Sequence, residues 1–579
     1  MRLADPIAWY ERHAAQVVSS YEALPPGRLH GWLDGLLPAA PALMLDVGAG
    51  TGRDAAWLAG LGHDIVAVEP AAALRAEAAR LHPGPRIRWL DDRLPGLAAT
   101  LRLSLTFDLI LLSAVWMYLD PADRPRALRK LVTLLKPGGL LVMTLRHGPA
   151  EPERGMHPVS LAELEELARG HGLVVARTGE ASDAQSRTGV TWTRVALRLP
   201  DDGTGALPLL RHVILNDAKS STYKLGLLRA LCRIADGAAG LAHDADDTHV
   251  DVPLGLVALT WLRLYLPLAR TDLPQSPQNR AGGEKLGFAG PGFRALLDED
   301  LSPLDLRVGE RFTGARARAL RTALGEAARS ISTMPARYMT YPNGGPVLPT
   351  ALRTPPRLDG AAEAFDLDAV TLWGWGVLRV PRHLWQALGR FSCWVEPALI
   401  TEWLRLMRVY AASQDRALEP GILAAAMTWA EPSRDVALPR SLALRLLERG
   451  DTLHCVWSGK RLEPASLDID HCLPWSAWPC GDLWNLMPAH RTVNQSAKRD
   501  RLPAEALLQA ARVPILRWWE AAYTQGELLQ RRFAEEARAS LPGLAGDAGV
   551  LAQPASVFAA VSLQRLRLRH DQQVPEWGG

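Results

Sequence analysis

Asp46-Val47-Gly48-Ala49-Gly50-Thr51-Gly52 is the stretch on which the reading of the first third of this 579-residue chain turns. The apolar run Leu43-Met44-Leu45 leads into it, and a helical pattern from Arg53 to Ala59 leads out. Glycines between a strand and a helix let the chain turn tightly and bring its backbone close to a ligand. The helix start that follows offers unpaired amides and a partial positive charge. Glu69, 23 positions after Asp46, ends the next run, Ile65 to Val68, where a carboxylate can accept both hydroxyls of a ribose. Asp91 and Asp92 close a third run, Ile87 to Leu90, and are placed to receive an adenine amino group. Further runs at 109–112 and 140–143 alternate with helical stretches at 71–81 and 123–135. Such alternation predicts an α/β doubly wound, Rossmann-like sheet over residues 1–200.

The Gly-x-Gly-x-Gly spacing with its preceding Asp resembles the class I S-adenosylmethionine-dependent methyltransferases. Phe107-Asp108-Leu109-Ile110 and Leu135-Lys136-Pro137-Gly138-Gly139-Leu140 extend the match over about 40–198. The resemblance implies S-adenosylmethionine as cofactor, held by Asp46, Gly48, Gly50, Gly52, Glu69, Asp91 and Asp92. Fold does not fix the methyl acceptor. Ser113-Ala114-Val115-Trp116 follows the fourth strand, where DNA amino-methyltransferases carry Asn/Asp-Pro-Pro-Tyr. This domain also lacks a Pro-Cys pair, so it looks like the branch acting on small molecules or proteins. Tyr118 is either an acceptor-site group or an aromatic packed on the sheet.

A second dense cluster lies near the C-terminus: Asp468-Ile469-Asp470-His471-Cys472-Leu473-Pro474-Trp475-Ser476, Leu483-Trp484-Asn485-Leu486-Met487-Pro488 and Asn494-Gln495-Ser496-Ala497-Lys498. It resembles the HNH nucleases, with the signature positions at His471, Asn485 and Asn494, the last two 14 and 23 positions beyond the first. The resemblance implies a ββα-metal fold over 451–510. Hydrolysing a phosphodiester needs a proton acceptor for water and positive charge for the leaving oxygen. A neutral imidazole suits the first role, and His471 is the candidate base. Hard divalent cations take oxygen ligands, so Asp470 and Asn494 are candidate ligands for Mg2+ or Mn2+. Asn485 is read as the residue that holds the loop and orients His471. Lys498, Arg499 and Arg501 are the candidate nucleic-acid contacts. Between 491 and 517 six basic residues face two acidic ones, whereas over 451–540 eleven balance eleven. Many relatives carry two Cys-x-x-Cys pairs for zinc; here the first reads Cys455-Val456-Trp457-Ser458, and no structural zinc is expected.

Between these ends, 201–450 carries helical patterns at 222–235, 252–268, 314–330, 396–412 and 438–448, and reads as mostly α-helical. Asn216-Asp217-Ala218-Lys219-Ser220-Ser221-Thr222-Tyr223-Lys224 is similar to a segment upstream of HNH domains in restriction-like proteins, which implies target recognition. A helical extension fills 511–579.

Composition sets the broad limits. Hydrophobic residues make up 48% and charged residues 22%, which excludes a largely disordered chain. The formal net charge is only +3, and 58 of the 65 basic residues are arginine, a bias of coding rather than of ligand. Five scattered cysteines argue against a disulfide framework. Charge at Met1 and Arg2 and the interruption of the longest apolar run by Arg263 argue against a signal peptide and a membrane span, so a cytoplasmic protein is expected. The preferred reading is a metal-dependent HNH endonuclease cutting DNA, fused to a methyltransferase-like domain, in bacterial defence. The alternative is a methyltransferase acting on a small molecule or protein, with an HNH module that binds nucleic acid without cleaving it.

Overall fold

The computed structural model describes residues 5–579 except 85, 104, 150, 247, 280–285, 343, 355–357, 359–362, 432, 543 and 545–552. Met1 and Arg2, on which the signal-peptide argument rests, lie outside the described residues. The chain divides into two compact units, Met1–Gly205 and Ala206–Gly579.

In the first unit α1 (Pro6–Glu22) precedes an alternating series: β1 (Leu43–Val47), α2 (Arg53–Gly60), β2 (Asp64–Val68), α3 (Ala72–Leu81), β3 (Ile87–Leu90), β4 (Phe107–Leu112), α4 (Arg124–Leu134) and β5 (Leu135–His147). Then come α5 (Leu161–Gly170), β6 (Val174–Ser182) and β7 (Thr191–Arg198). The sheet runs β3-β2-β1-β4-β5-β7-β6. Its first five strands are parallel, and β7 lies antiparallel between β5 and β6. Continuous apolar runs form the parallel strands because both of their faces are covered. Leu45, Val66, Ile110 and Leu141 pack on one side, and Met44, Ile65 and Val142 on the other. Each such buried aliphatic side chain contributes about 1.5–3 kcal/mol. Asp108 is polar inside this frame and serves to join its strands. The carboxylate accepts from the Leu43 amide (2.9 Å) and pairs with Lys136 (2.7 Å), linking β4 to β1 and β5.

The second unit holds α6 (Tyr223–Gly237), α7 (Leu254–Arg270), α8 (Gly314–Thr333) and α9 (Ser392–Ala412), close to the helical patterns. It also holds a four-stranded sheet that those patterns do not foretell, from β8 (His243–Asp244), β9 (His249–Pro253), β10 (Thr350–Leu352) and β11 (Gly376–Pro381), in the order β10-β11-β9-β8. Its strands are two to six residues long and come from distant parts of the chain, so no alternation accumulates to announce them. After α10 (Ala437–Glu448), strands β12 (Leu467–His471) and β13 (Leu486–His490) form an antiparallel hairpin that pairs Asp470 with Met487 and His471 with Leu486. A π-helix (Val493–Lys498) follows, then α11 (Arg512–Tyr523), α12 (Glu527–Ser540) and α13 (Pro554–Asp571). Residues of the hairpin and of α11, α12 and α13 share one core.

Candidate functional site

The glycine loop opens a cleft of about 290 Å³ at the ends of β1, β2 and β4. Gly48 sits at φ 72°, and a Cβ there would lie 2.6 Å from a methyl of Val115, so any side chain closes the turn against β4. Gly52 (φ 84°) is needed for packing, since its Cβ would meet the Trp89 ring at 2.7 Å. Gly50 contributes its amide, which donates to Glu69 Oε2 at 2.9 Å. Glu69 also accepts from the Ala71 amide, and burial still raises its pKa against those two bonds. Asp46 is 1% exposed, and its Oδ2 has no hydrogen-bond partner. Burial, reinforced by the neighbouring Asp54 charge, pushes its pKa well above the carboxylate range despite Arg53. Asp54 itself is held low: burial opposes ionisation, but His30 and Arg53 outweigh it.

Asp92 lines this cleft, its carboxylate accepting from the Arg93 amide and from the amide and hydroxyl of Thr100. Asp91 departs from expectation: it is not among the lining residues, and its exposed carboxylate pairs with Arg75 at 3.2 Å.

Beyond β4 the cleft continues over a wall that the loop motif does not foretell. Tyr10 Oη lies 2.8 Å from Tyr118 Oη and 3.1 Å from Tyr21 Oη, and Arg154 donates to Tyr10 (2.6 Å) and Tyr21 (2.9 Å). Burial pushes the Tyr118 phenol up to about 12, so it stays protonated. Met117, Met156, Trp192 and Arg194 complete this end. Tyr118 therefore belongs to the cleft wall. Its partners were hidden because 108 residues separate Tyr10 from Tyr118 and 144 separate Tyr10 from Arg154.

In the second unit Asp470, His471 and Asn494 line one open cleft of about 540 Å³, together with Arg434, Asp468, Trp475, Arg499 and Asp500. His471 is 2% exposed, and neither ring nitrogen has a hydrogen-bond partner. Burial first, then the Arg434 and Lys498 charges, lower its pKa to about 3, so the ring is neutral. Asn485, fully buried, closes the loop after His471: Oδ1 accepts from the Leu473 amide (2.8 Å), and Nδ2 donates to the Leu473 and Cys480 carbonyls. Asp470 accepts from Trp457 Nε1 (2.7 Å) and pairs with Lys498 through Oδ2 (3.1 Å) and Oδ1 (3.2 Å). Asn494 Nδ2 donates to Asp468 (3.0 Å) and to the Ile469 carbonyl, which ties the π-helix to β12.

One of the three expected nucleic-acid contacts is corrected here, and a second is engaged within the chain. The Lys498 side chain is fully buried, and its ammonium holds Asp470 and the His471 carbonyl (2.7 Å) rather than facing solvent. Arg501 donates to the Ala497 and Lys498 carbonyls and closes the π-helix end. Arg499 is exposed and lines the cleft. Arg434, absent from the expectations, also lines it. Nothing in the local sequence, Ser433-Arg434-Asp435, marks it as a cleft residue. Lys219 and Lys224, in the middle segment read as target recognition, both bond within the chain, to the Asp217 carbonyl and carboxylate.

Oxygen donors suited to a hard cation are present. A carboxylate has about four lone-pair positions, and Asp470 has three contacts, leaving one on Oδ1. Burial raises its pKa even against Lys498 and Trp457. Asp470 and the Asn494 carboxamide line the same cleft and are oxygen donors of the kind a divalent cation takes. Among the described residues no group of three or more His, Cys, Asp or Glu is placed to hold a metal. All five cysteines are free thiols, and no helix among the described residues is long and apolar enough to cross a membrane.

Family models match three stretches: a methyltransferase domain at 45–143, a domain of unknown function (DUF8808) at 203–427, and an HNH endonuclease at 455–504. The chain joins an N-terminal methyltransferase domain to a C-terminal HNH domain. It is 35% identical over 132 residues to uncharacterized methyltransferases of Mycobacterium bovis and Mycobacterium tuberculosis, a match covering 21% of this chain. That match spans about half (48%) of the relatives' own length. Among solved structures, magnesium protoporphyrin IX methyltransferase from Synechocystis with bound SAM aligns at 18% identity, covering 32% of this chain and 78% of that one, with a TM-score of 0.24. A 1,6-didemethyltoxoflavin-N1-methyltransferase from Burkholderia thailandensis aligns at 23% identity, covering 34% and 81%, with a TM-score of 0.25.

Proposed function

We propose that this chain is a two-site enzyme: an HNH endonuclease that hydrolyses DNA phosphodiesters with a divalent metal, fused to a domain that transfers methyl from S-adenosylmethionine to a small molecule. One observation supports the nuclease reading above the others. A buried imidazole with both nitrogens unpartnered shares a cleft with a carboxylate and a carboxamide. Asp470 and Asn494 would hold Mg2+ or Mn2+, which neutralises charge on phosphate and acidifies bound water. His471 takes the proton of the attacking water. Its ring is a weak base beside Arg434 and Lys498, and a phosphate entering the cleft offsets those charges and raises its basicity. Asn485 fixes the loop behind His471, while Arg434 and Arg499 meet phosphate oxygens at the rim. Defence against foreign DNA, in the cytoplasm, is the setting that suits a DNA-cutting module paired with a SAM-binding one.

The methyltransferase half is supported by the carboxylates around the glycine loop. S-adenosylmethionine carries a sulfonium with a transferable methyl, an ammonium group and ribose hydroxyls. Asp46 Oδ2, buried without a donor, would take the ammonium; Glu69 would take the ribose hydroxyls and Asp92 the adenine edge. The walls from α1 and the Tyr10–Tyr118–Arg154 cluster favour a small acceptor over a macromolecule.

Plasmid and phage DNA incubated with the full chain and Mg2+ or Mn2+, with and without S-adenosylmethionine, tests the nuclease. Cleavage is expected from wild type, and equal cleavage by His471→Ala contradicts the reading. The alternative, an HNH module that binds without cutting, is favoured by the Lys498–Asp470 pair, which already supplies Asp470 with a cation. DNA retention with no metal-dependent cleavage would identify it.

A further inference from the structure

We propose that the methyl acceptor is a small organic anion, an apolar body ending in a carboxylate or phosphate monoester, whose charged end is read by Arg194. This rests on the methyltransferase reading and adds the chemistry of its second substrate. Four arginines line the β5–β7 end of the cleft: Arg146, Arg154, Arg187 and Arg194. The first two pair with Glu151, at 2.7 and 3.0 Å, and Arg187 pairs with Asp183 at 2.7 Å. The Arg194 side chain, among the described residues, has neither an ion pair nor a hydrogen bond, and its pKa is lowered by burial with no neighbouring charge to oppose it. A half-buried guanidinium without a counter-charge is incomplete, and its planar fork matches a carboxylate or phosphate.

Register places this group on the acceptor side. Arg194 pairs across the sheet with Thr144 of β5, whose Oγ1 accepts from the Ala114 amide (2.7 Å) at the end of β4. It therefore stands near the strand end where a methyl group would be presented. The glycine loop follows β1, three strands away and about 14 Å across the sheet, which sets Arg194 apart from the cofactor's anchoring loop. Met117, Met156 and Val115 supply apolar surface for the acceptor's body.

The test uses the full chain saturated with S-adenosylhomocysteine and titrated with benzoate, phenyl phosphate and uncharged benzamide in a calorimeter. At least one anion is expected to bind about tenfold or more tighter than benzamide, and the tighter of the two names the charged group. Arg194→Gln should remove that preference while leaving S-adenosylhomocysteine affinity unchanged, which also reports an intact fold. Arg194→Lys should keep part of it. Benzamide binding as tightly as both anions, or an anion preference that survives Arg194→Gln, overturns the inference. Failure of S-adenosylhomocysteine to bind at all contradicts the methyltransferase reading itself, and the two failures are thereby told apart.

Discussion

At the scale of single residues the HNH cleft is a problem of buried polar groups. Asn485 satisfies three backbone groups of the loop after His471. Asn485→Ala leaves a buried amide and two carbonyls without partners, and an unsatisfied group costs about 1–3 kcal/mol. Urea denaturation should show a loss of at least that size in the transition of the second unit; an unchanged midpoint would contradict the role. Lys498 is the counter-charge of Asp470, and removing one partner of a buried pair costs about 3–5 kcal/mol. Lys498→Met should be destabilised by that order, and Mn2+ should raise its melting temperature more than that of wild type, because the freed carboxylate takes the cation. An equal response of both proteins would mean that Asp470 is not a ligand. The residue types of this site were legible because Asp-His, Asn and Asn-Lys fall at a spacing that few other folds need. The inward turn of Lys498 was not, since a lysine at this place reads as a solvated side chain or a phosphate contact until its partner's burial is known.

At the scale of elements, packing that ties α12 to the HNH hairpin creates a titratable joint. Glu536 accepts from the Leu483 amide (2.8 Å) and pairs with Arg532 (2.7 Å), and burial followed by repulsion from Asp482 pushes its pKa up to about 7. The ordinary carboxyl value is 4.5. A carboxyl that gains affinity for its proton on folding stabilises the folded state fully below its unfolded pKa and loses that contribution as pH rises through the folded one. Stability of this unit should therefore fall between about pH 4.5 and pH 7, and Glu536→Gln should flatten that slope in thermal melts. A slope unaffected by the substitution would rule the joint out. In the first unit the strands and glycine loop were readable, because doubly covered strands give unbroken apolar runs and positive φ selects glycine. The small sheet of the second unit was not, because its short strands pair over long stretches of chain. The tyrosine–arginine cluster escaped for the same reason.

For the whole molecule, the core clusters of each unit are built from that unit's own residues. Calorimetry of the full chain should show two transitions, and S-adenosylhomocysteine should raise only the one belonging to Met1–Gly205. A single transition that shifts as a whole would contradict independent folding. The methyltransferase and HNH domains are marked by motifs at fixed spacings, whereas the middle region is shaped by packing, which leaves helical periodicity and little else to read.

If His471 accepts a proton in the second unit's cleft, as proposed, chemical rescue should reveal it. Alanine at this position leaves a ring-sized space in the cleft. Plasmid nicking by His471→Ala with Mn2+ should fall by about 100-fold to 10,000-fold, and added imidazole should restore a measurable part of the rate. Nicking by His471→Ala at the wild-type rate, with imidazole making no difference, would contradict the claim.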